Sequence, residues 1–588
     1  MGIRAPRSLG NEGFALALTM LVVLVVGALA TAAAMVGSNH LLANRYYERQ
    51  SLLEAAADAG IEVARARING MPSIYPDSGY VTLENGVSVK DGDGNTIPGV
   101  KRWTYVGPTG LTSGQYGIFG TIISQVKDDG GGEVIRRTQV YQESFAKFAY
   151  FTDFEPSNIK FGGGDAIFGP LHTNSPIRIY SSGATFYGEV RTAQNVENPT
   201  YGTFKQGYEE YVPAIPMPAT AELSKLQAQA AAGMTAFVGD SNGDQGSATT
   251  RIEFIAIDLN GDGDTTDPIE GFFRVYQSTD PDWVVANVPV VTTGSGWSTT
   301  TTEEMRQSPN CGWWTGGVFV PASQIASNSD SEAALISPTR RCYLGGSDSI
   351  NNGFVANDGR GQWLPYPGVV SPLVAGRPDG AYLFPLSRRL NPNFKGVIHV
   401  TGKVAISGTL RGKVTLAATD DIILADDVVY ATNPGAGTCQ DILGMFAGDD
   451  VVVSDNTLNA PVRPTSGYAR RTYDDTKDEF FHGVVLALDI FTVENYGSGG
   501  TSEEPCESKA NGRGCLYLTG GIIQRTRGAV GTTGGTGYIK RYSYDQCAAS
   551  EPPPYFPTTG HFSKGTYYQV DPAGFSVSQF FAMMTPRP

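Results

Sequence analysis

The apolar residues of this chain first form an unbroken run and then fall into a periodic pattern. From Phe14 to Gly37 there is no charged residue, and Leu, Val and Ala dominate. A helix needs ~20 such residues to cross a bilayer core. From Asn39 to Asn69 there is no Pro, and the sole Gly is Gly60. Here Leu42, Leu52, Leu53, Ala56, Ile61, Val63 and Ile68 interleave with Arg45, Glu48, Arg49, Glu54 and Arg65. This spacing predicts one helix from about Phe14 to about Asn69, roughly 80 Å long at ~1.5 Å per residue. Its second half should pack on a soluble domain or on neighbouring helices.

Beyond the helix the pattern becomes short and strand-like. Residues 78 to 150 hold runs such as ValSerValLys, TrpThrTyrVal and ValIleArgArgThrGlnValTyr, separated by DGDGN and DDGGGE. Both separators are hairpin chemistry, because Gly and Asp tolerate positive φ. Asp91, Asp93 and Asn95 read as a hairpin tip rather than a calcium site. Farther along, strands echo one another. GPLHTN (169–174) is followed 19 residues later by GEVRTA (188–193), and LAATDDIILADD (416–427) by MFAGDDVVVSDN (445–456) at an offset of 29. Echoing strands with turn signals predict a solenoid in which each coil buries its apolar face on the next; a β-sandwich is the competing arrangement. Residues 205–390 interrupt this texture and read as an inserted, surface-facing domain with a short helix at 219–232.

Composition locates the chain further. Of 588 residues 73 are Gly, against a typical ~7%. With many Val, Ile, Thr, Tyr and Phe, this favours strands and tight turns over helix bundles. The net charge of −15 argues against nucleic acid as a partner, which needs a basic surface. Charged residues at 17% and aromatics at 10% exclude a disordered chain.

Before the apolar run stands MGIRAPRSLGNEG, where Arg4 and Arg7 face one Glu12. The positive balance predicts that this end stays cytoplasmic and the rest crosses the membrane. A leader ending in Gly13, then Phe14, an apolar span and NRYYERQSLLEAAADAGIEVARARI (44–68) resembles a type IV prepilin-type signal and the N-terminal helix of PilX-like and GspK-like minor pilins. The resemblance covers roughly residues 8–200 and 385–560. It implies that a prepilin peptidase cuts between Gly13 and Phe14 and methylates the new amine. It also implies assembly with other pilins or pseudopilins through the helix, in the inner membrane with a periplasmic domain, or at the cell surface within a pilus. Two positions depart from the pattern: Asn11 and Glu12 stand where Lys or Arg is common, and Leu18 stands where major pilins carry Glu. A lipid-buried Glu needs a partner such as the neighbouring subunit's amine, so its lack suits a minor or tip subunit.

The resulting fold class is α+β, mainly β: a long N-terminal transmembrane helix, a pilin-like antiparallel sheet, then a right-handed β-helix-like solenoid with an inserted domain. The expected divisions are the leader at 1–13, the helix at 14–70, the sheet at 71–150, the start of the solenoid at 151–204, the insertion at 205–390, and solenoid plus tail at 391–588.

The strongest metal candidate is DLNGDGDTTDPIE (258–270). Asp258, Asn260, Asp262 and Asp264 take alternate positions and Gly263 supplies the turn. Calcium takes ~6–8 oxygens, which alternating carboxylates on a tight loop provide. Asp267 or Glu270 would close the site, although a strand rather than a helix precedes it. A similar set, Asp240, Asn242 and Asp244, follows the same logic less fully. Six cysteines lie beyond the span, an even count that predicts disulfides on the translocated side. Cys506 and Cys515 enclose a short loop, Cys311 with Cys342 would staple the insertion, and Cys439 with Cys547 follow by elimination. No nucleophile, zinc or phosphate-loop motif occurs, so no enzyme activity is expected. His172, His399 and His482 read as strand histidines, Asp420 and Asp421 as rung turns, and Trp313 and Trp314 as buried aromatics. The expected role is a minor pilin or pseudopilin-like component of a type IV pilus or type II secretion-type assembly. The alternatives are a single-pass anchored calcium-dependent adhesin and an anchored β-helix carbohydrate-active enzyme.

Overall fold

A computed structural model describes residues 12–76, 78–109, 118–239, 248–279, 290–293, 300–303, 312–315, 318–321, 361–377, 379–454, 479–497, 514–532 and 535–584, with single residues 284, 356 and 506. It has two compact units: Met1–Leu111, Phe119–Tyr141 and Phe562–Pro588 form the first, Thr112–Ile118 and Gln142–His561 the second.

In the first unit one helix, α1 (Glu12–Gly70), runs without a break, matching the predicted extent. Four antiparallel strands follow: β1 (Val81–Lys90), β2 (Thr96–Pro108), β3 (Phe119–Asp128) and β4 (Glu133–Ser144). Their turns close by the expected chemistry. Asp91 Oδ1 accepts the N–H groups of Asp93 and Asn95 at 3.0 and 2.8 Å. Asp128 Oδ1 does the same for Gly130 and Gly132 at 2.9 and 2.8 Å. On one face of the sheet, Leu53, Ala56 and Ala57 of α1 bury with Val89, Val100, Val126 and Val134. On the other, Phe580 and Phe581 of the helix Val577–Met584 bury with Ile123 and Ile135. The buried apolar residues of α1, namely Leu53, Ala56, Ala57, Ile61, Ala64 and Ile68, recur at helical spacing along one stripe. Gly60 lies on it because the helix comes close to the sheet: a Cβ there would sit 2.3 Å from Ser124 Oγ. Beneath, Arg102 makes a buried pair with Glu84 (2.7 and 2.9 Å) and donates to Ala56 O at 3.1 Å.

The end of the chain is a correction to the sequence-derived divisions. The strand Thr558–Val570 does not extend the second unit's sheet; it lies beside β4 as the fifth strand of the first sheet. Backbone pairing there outweighs sequence proximity.

The second unit is built from strands stacked in parallel. One ladder runs through Ala236–Val238, Val397–Thr401, Lys413–Ala418, Ile442–Ala447, Glu479–Val493, Cys515–Arg527, Tyr150–Phe154, Leu171–Thr173, Val190–Thr192 and Tyr208–Glu209. A second joins Thr250–Ala256, Val404–Leu410, Ile422–Tyr430, Val451–Val453 and the end of Glu479–Val493. A third joins Cys515–Arg527, Ile539–Tyr544, Asp165–Ile167, Ala184–Phe186 and Gly202–Phe204. The sequence echoes are these registers: Leu416 pairs with Met445 and Ile422 with Val451 at the 29-residue offset, and Leu171 pairs with Val190 at 19. The apolar columns Ile398–Leu416–Met445–Val485–Ile522–Tyr150–Leu171–Val190 form the core between the ladders. Part of the Gly excess sits where strands bend within a rung. Gly483 and Gly520 pair in register at φ 153° and 152°, and a Cβ on Gly520 would lie 1.8 Å from Gly483 O.

Within 205–390, the described residues of 221–256 join the stack, while Val290–Thr293 with Thr300–Glu303 and Gly312–Thr315 with Val318–Pro321 form two-stranded hairpins of their own. The predicted short helix is α2 (Ala221–Ala232), and its Leu223, Leu226 and Ala230 bury against Ala417, Phe446 and Leu486. The strands Ala236–Val238 and Thr250–Ala256 pair with 397–401 and 404–410, continuing the stack. Apolar burial and open strand edges draw the described residues of 221–256 onto the stack.

Candidate functional site

Two features carry the functional question: the exposed half of α1 and the acidic loops. Every residue of α1 from Phe14 to Arg49 is exposed, and this part has a mean hydropathy of 2.5 in its most apolar window. Phe14 is 75% exposed and Leu24 72%, although both belong by type to protein cores. Among the described residues α1 is the one helix long and apolar enough to cross a membrane. The structure therefore pairs an exposed half-helix, uncharged from Phe14 to Gly37, with a half-helix that anchors in a sheet. Side chains at Gly13 and before lie outside the described residues.

The loop 258–270 connects two antiparallel strands, Thr250–Ala256 and Gly271–Ser278, in register Ala256 to Gly271. It is a hairpin connection without helical flanks, as the preceding strand implied. Its carboxylates fold onto its own backbone. Asp258 accepts from the N–H groups of Gly261 (2.6 Å) and Gly263 (3.0 Å), and Asp262 Oδ1 from that of Asp264 (3.1 Å). Asp264 accepts from Thr266 N–H and hydroxyl, which holds its carboxyl below the usual range. Asn260 donates to Asp262 and Asp267 at 2.9 and 3.1 Å. Glu270 accepts from Leu259 and Asp267 N–H at 2.9 and 2.8 Å. Arg411, almost fully buried, donates to the carbonyls of Thr266 and Asp267 and to Asp441. The loop is thus preformed and tied to the stack at one end. The similar Asp240, Asn242 and Asp244 lie outside the described residues.

Among the described residues, acidic oxygens converge elsewhere: at Asp420, Asp421 and Asp449, and at Asp449, Asp450 and Asp489. Burial, then the charge of Asp421, pushes Asp420 up to about 6. Burial is also the first cause that raises Asp450 to about 6. Sequence echo exposed the first two pairs as equivalent turns. Asp489 gave no such signal, because it sits at a register shift between Ala487 and Ile490.

The three histidines are strand residues with depressed affinity for protons. Burial lowers His172, His399 and His482 each to about 4. His172 stacks on Phe151 and bonds through Nε2 to Asn174 Oδ1 at 3.0 Å. His482 Nδ1 accepts the N–H of Tyr430 at 3.0 Å. Asn174, from the GPLHTN echo, also clamps Ile215: its Nδ2 donates to Ile215 O and its Oδ1 accepts Ile215 N–H. Disulfides join Cys439 to Cys547 and Cys506 to Cys515. Cys311 and Cys342 lie outside the described residues, as do the side chains of Trp313 and Trp314.

No family model matches the chain, and no curated protein matches it. Among solved structures, one that is similar is the competence-associated pilin ComZ from Thermus thermophilus, at 11% identity and a TM-score of 0.24, covering 88% of this chain and 96% of that one. At that score the likeness carries no argument about fold or function.

Proposed function

We propose that the chain is a pilin-like structural subunit, of the minor or pseudopilin kind. A prepilin peptidase would cut after Gly13, and the segment from Phe14 would sit in the inner membrane and then pack among the helices of other pilins. The observation that supports this is the division of α1: the uncharged run from Phe14 to Gly37 is exposed on every side, while Leu53, Ala57, Ile61, Ala64 and Ile68 bury on the sheet. A helix apolar all round calls for lipid or other apolar helices around it. In this reading the chain acts by helix packing, not by catalysis. It displays the second unit, whose parallel ladders support reading it as a β-helix-like solenoid. N-terminal mass spectrometry of the mature protein tests the proposal. Methylated Phe14 as first residue is expected; retention of residues 1–13 overturns it and leaves a single-pass anchored protein.

The loop 258–270 is proposed to bind calcium through Asp258, Asn260, Asp262 and Asp264, with Asp267 or Glu270 completing the set. Its support is the preformed backbone, which holds Asp258, Asp262 and Asp264 on one short turn with Asp267 and Glu270 beside them. Calcium titration of the full chain against Asp258→Asn/Asp262→Asn tests it, with one ion per chain lost in the variant.

A further inference from the structure

Successive turns of the stack place acidic pairs one above another. Asp420 and Asp421 join Lys413–Ala418 to Ile422–Tyr430, and Asp449 and Asp450 join Ile442–Ala447 to Val451–Val453. Backbone donors fix the stacking. Asp450 N–H donates to Asp421 Oδ1 and Ile490 N–H to Asp450 Oδ1, each at 3.0 Å. One carboxylate oxygen from each of Asp420, Asp421 and Asp449 lies within 4.8 Å of the other two. Oxygens that far apart or closer can share an ion at about 2.4 Å, inside calcium's ~2.3–2.6 Å ligand range.

A surface acidic cluster alone would carry nothing. The distinguishing atom is Asp420 Oδ2. Asp420 is only 4% exposed, and its Oδ1 accepts the N–H of Asp421, but its Oδ2 has no hydrogen-bond partner. A buried carboxylate oxygen without a partner is costly, and folding normally supplies one. The cations at hand leave it unserved. Lys403 Nζ lies 2.7 Å from Asp421 Oδ2 and 3.8 Å from Asp420 Oδ1, and Arg525 acts on Asp449 from a distance. With Asp450 and Asp489 adjacent, five carboxylates face these two cations.

We propose that this turn ladder is a calcium site formed by Asp420, Asp421 and Asp449, with water filling the open side at exposed Asp449. The ion ties two successive turns of the stack together. The site is separate from the loop 258–270 and does not rest on the pilin-like reading.

The test uses the full chain in detergent with calcium alone as the probe. The background is Asp258→Asn/Asp262→Asn, so that the loop cannot contribute. This background is expected to bind one calcium per chain by equilibrium dialysis and to melt at a higher temperature with calcium than with chelator. Adding Asp449→Asn should weaken binding at least tenfold and remove the melting shift. Asp449 is exposed, so the variant should keep its circular dichroism. Asp420→Asn provides a second variant with the same expected loss. The proposal is overturned if the background binds no calcium, or if both variants bind it as the background does. Loss of the loop's ion alone would bear only on 258–270.

Discussion

Acid should loosen the second unit through its buried histidines, and His172 offers the cleanest measurement. Its side chain is 2% exposed, sandwiched on Phe151, and bonded to Asn174. Burial is the main cause that lowers it to about 4 from 6.5, and nearby Lys147 and Arg191 add to the shift. A base whose folded pKa lies below its unfolded value binds fewer protons when folded. Its contribution is therefore complete above about 6.5 and is lost as pH falls from about 6.5 toward about 4. At pH 5 the unfolded imidazole is protonated by about 1.5 pH units while the folded one remains mostly neutral. At ~1.4 kcal/mol per unit, that removes about 2 kcal/mol. His172→Gln retains an N–H donor and does not titrate. Urea unfolding of the detergent-solubilised chain at pH 7.5 and pH 5 should show a smaller acid loss in the variant, by about 2 kcal/mol. Equal acid losses in both proteins would refute the reasoning, because His399 and His482 are common to both.

Other substitutions test the packing. Gly60→Ala should destabilise the first unit by about 1–2 kcal/mol, since overpacking at Ser124 and Arg102 outweighs the ~1 kcal/mol gain in helix propensity. Gly70→Ala, with open space around its Cβ, should be neutral or stabilising in the same thermal melts. Asn174→Ala should cost about 2 kcal/mol and speed amide exchange at Ile215, whose N–H and C=O both lose their partner. Removing Cys439–Cys547, which spans 108 residues, should cost about 5 kcal/mol in the chain-entropy model, and removing Cys506–Cys515, which spans 9, about 3 kcal/mol. Denaturant midpoints of the two double-serine variants would rank them; the reverse order would contradict the loop-length argument.

Legibility in the sequence followed locality. The extent of α1 was readable because its signals are an uncharged run and a helical stripe with one glycine. The 29-residue echo gave a true register because Leu416–Met445 and Ile422–Val451 keep the same apolar class. Elsewhere the class changes along a column. Val400, Ala418, Ala447 and Ala487 are continued by Gln524, Thr152, Thr173 and Thr192, all essentially buried. There Thr173 Oγ1 donates to Thr192 Oγ1 at 3.1 Å, so a hydrogen bond replaces methyl packing and the apolar class of the 29-residue echo is not continued. The acidic loop and the paired turns 420–421 and 449–450 were legible, but Asp489 was not, because it joins the others only through a strand irregularity.

The order of the stack is the feature that no local pattern could give, and it has a consequence for folding. The ladder begins in its own middle. From Tyr150–Phe154 it grows one way to Tyr208–Glu209, and the chain then resumes at the far end with Ala236–Val238. It returns rung by rung until Cys515–Arg527 lies against Tyr150–Phe154, with Ile522 opposite Tyr150. Until that late strand is in place, Tyr150–Phe154 and Glu479–Val493 both present open edges. Open edges template pairing with other chains, and contacts so distant in sequence form slowly. Deleting residues 514–545 should therefore yield a chain that associates rather than one with a slightly smaller domain. Light scattering during refolding should rise with concentration in the deletion and stay flat in the full chain. A deletion that refolds as a single species, with parallel stacks intact on both sides, would mean that the two halves are independent and that the joining strand only docks them.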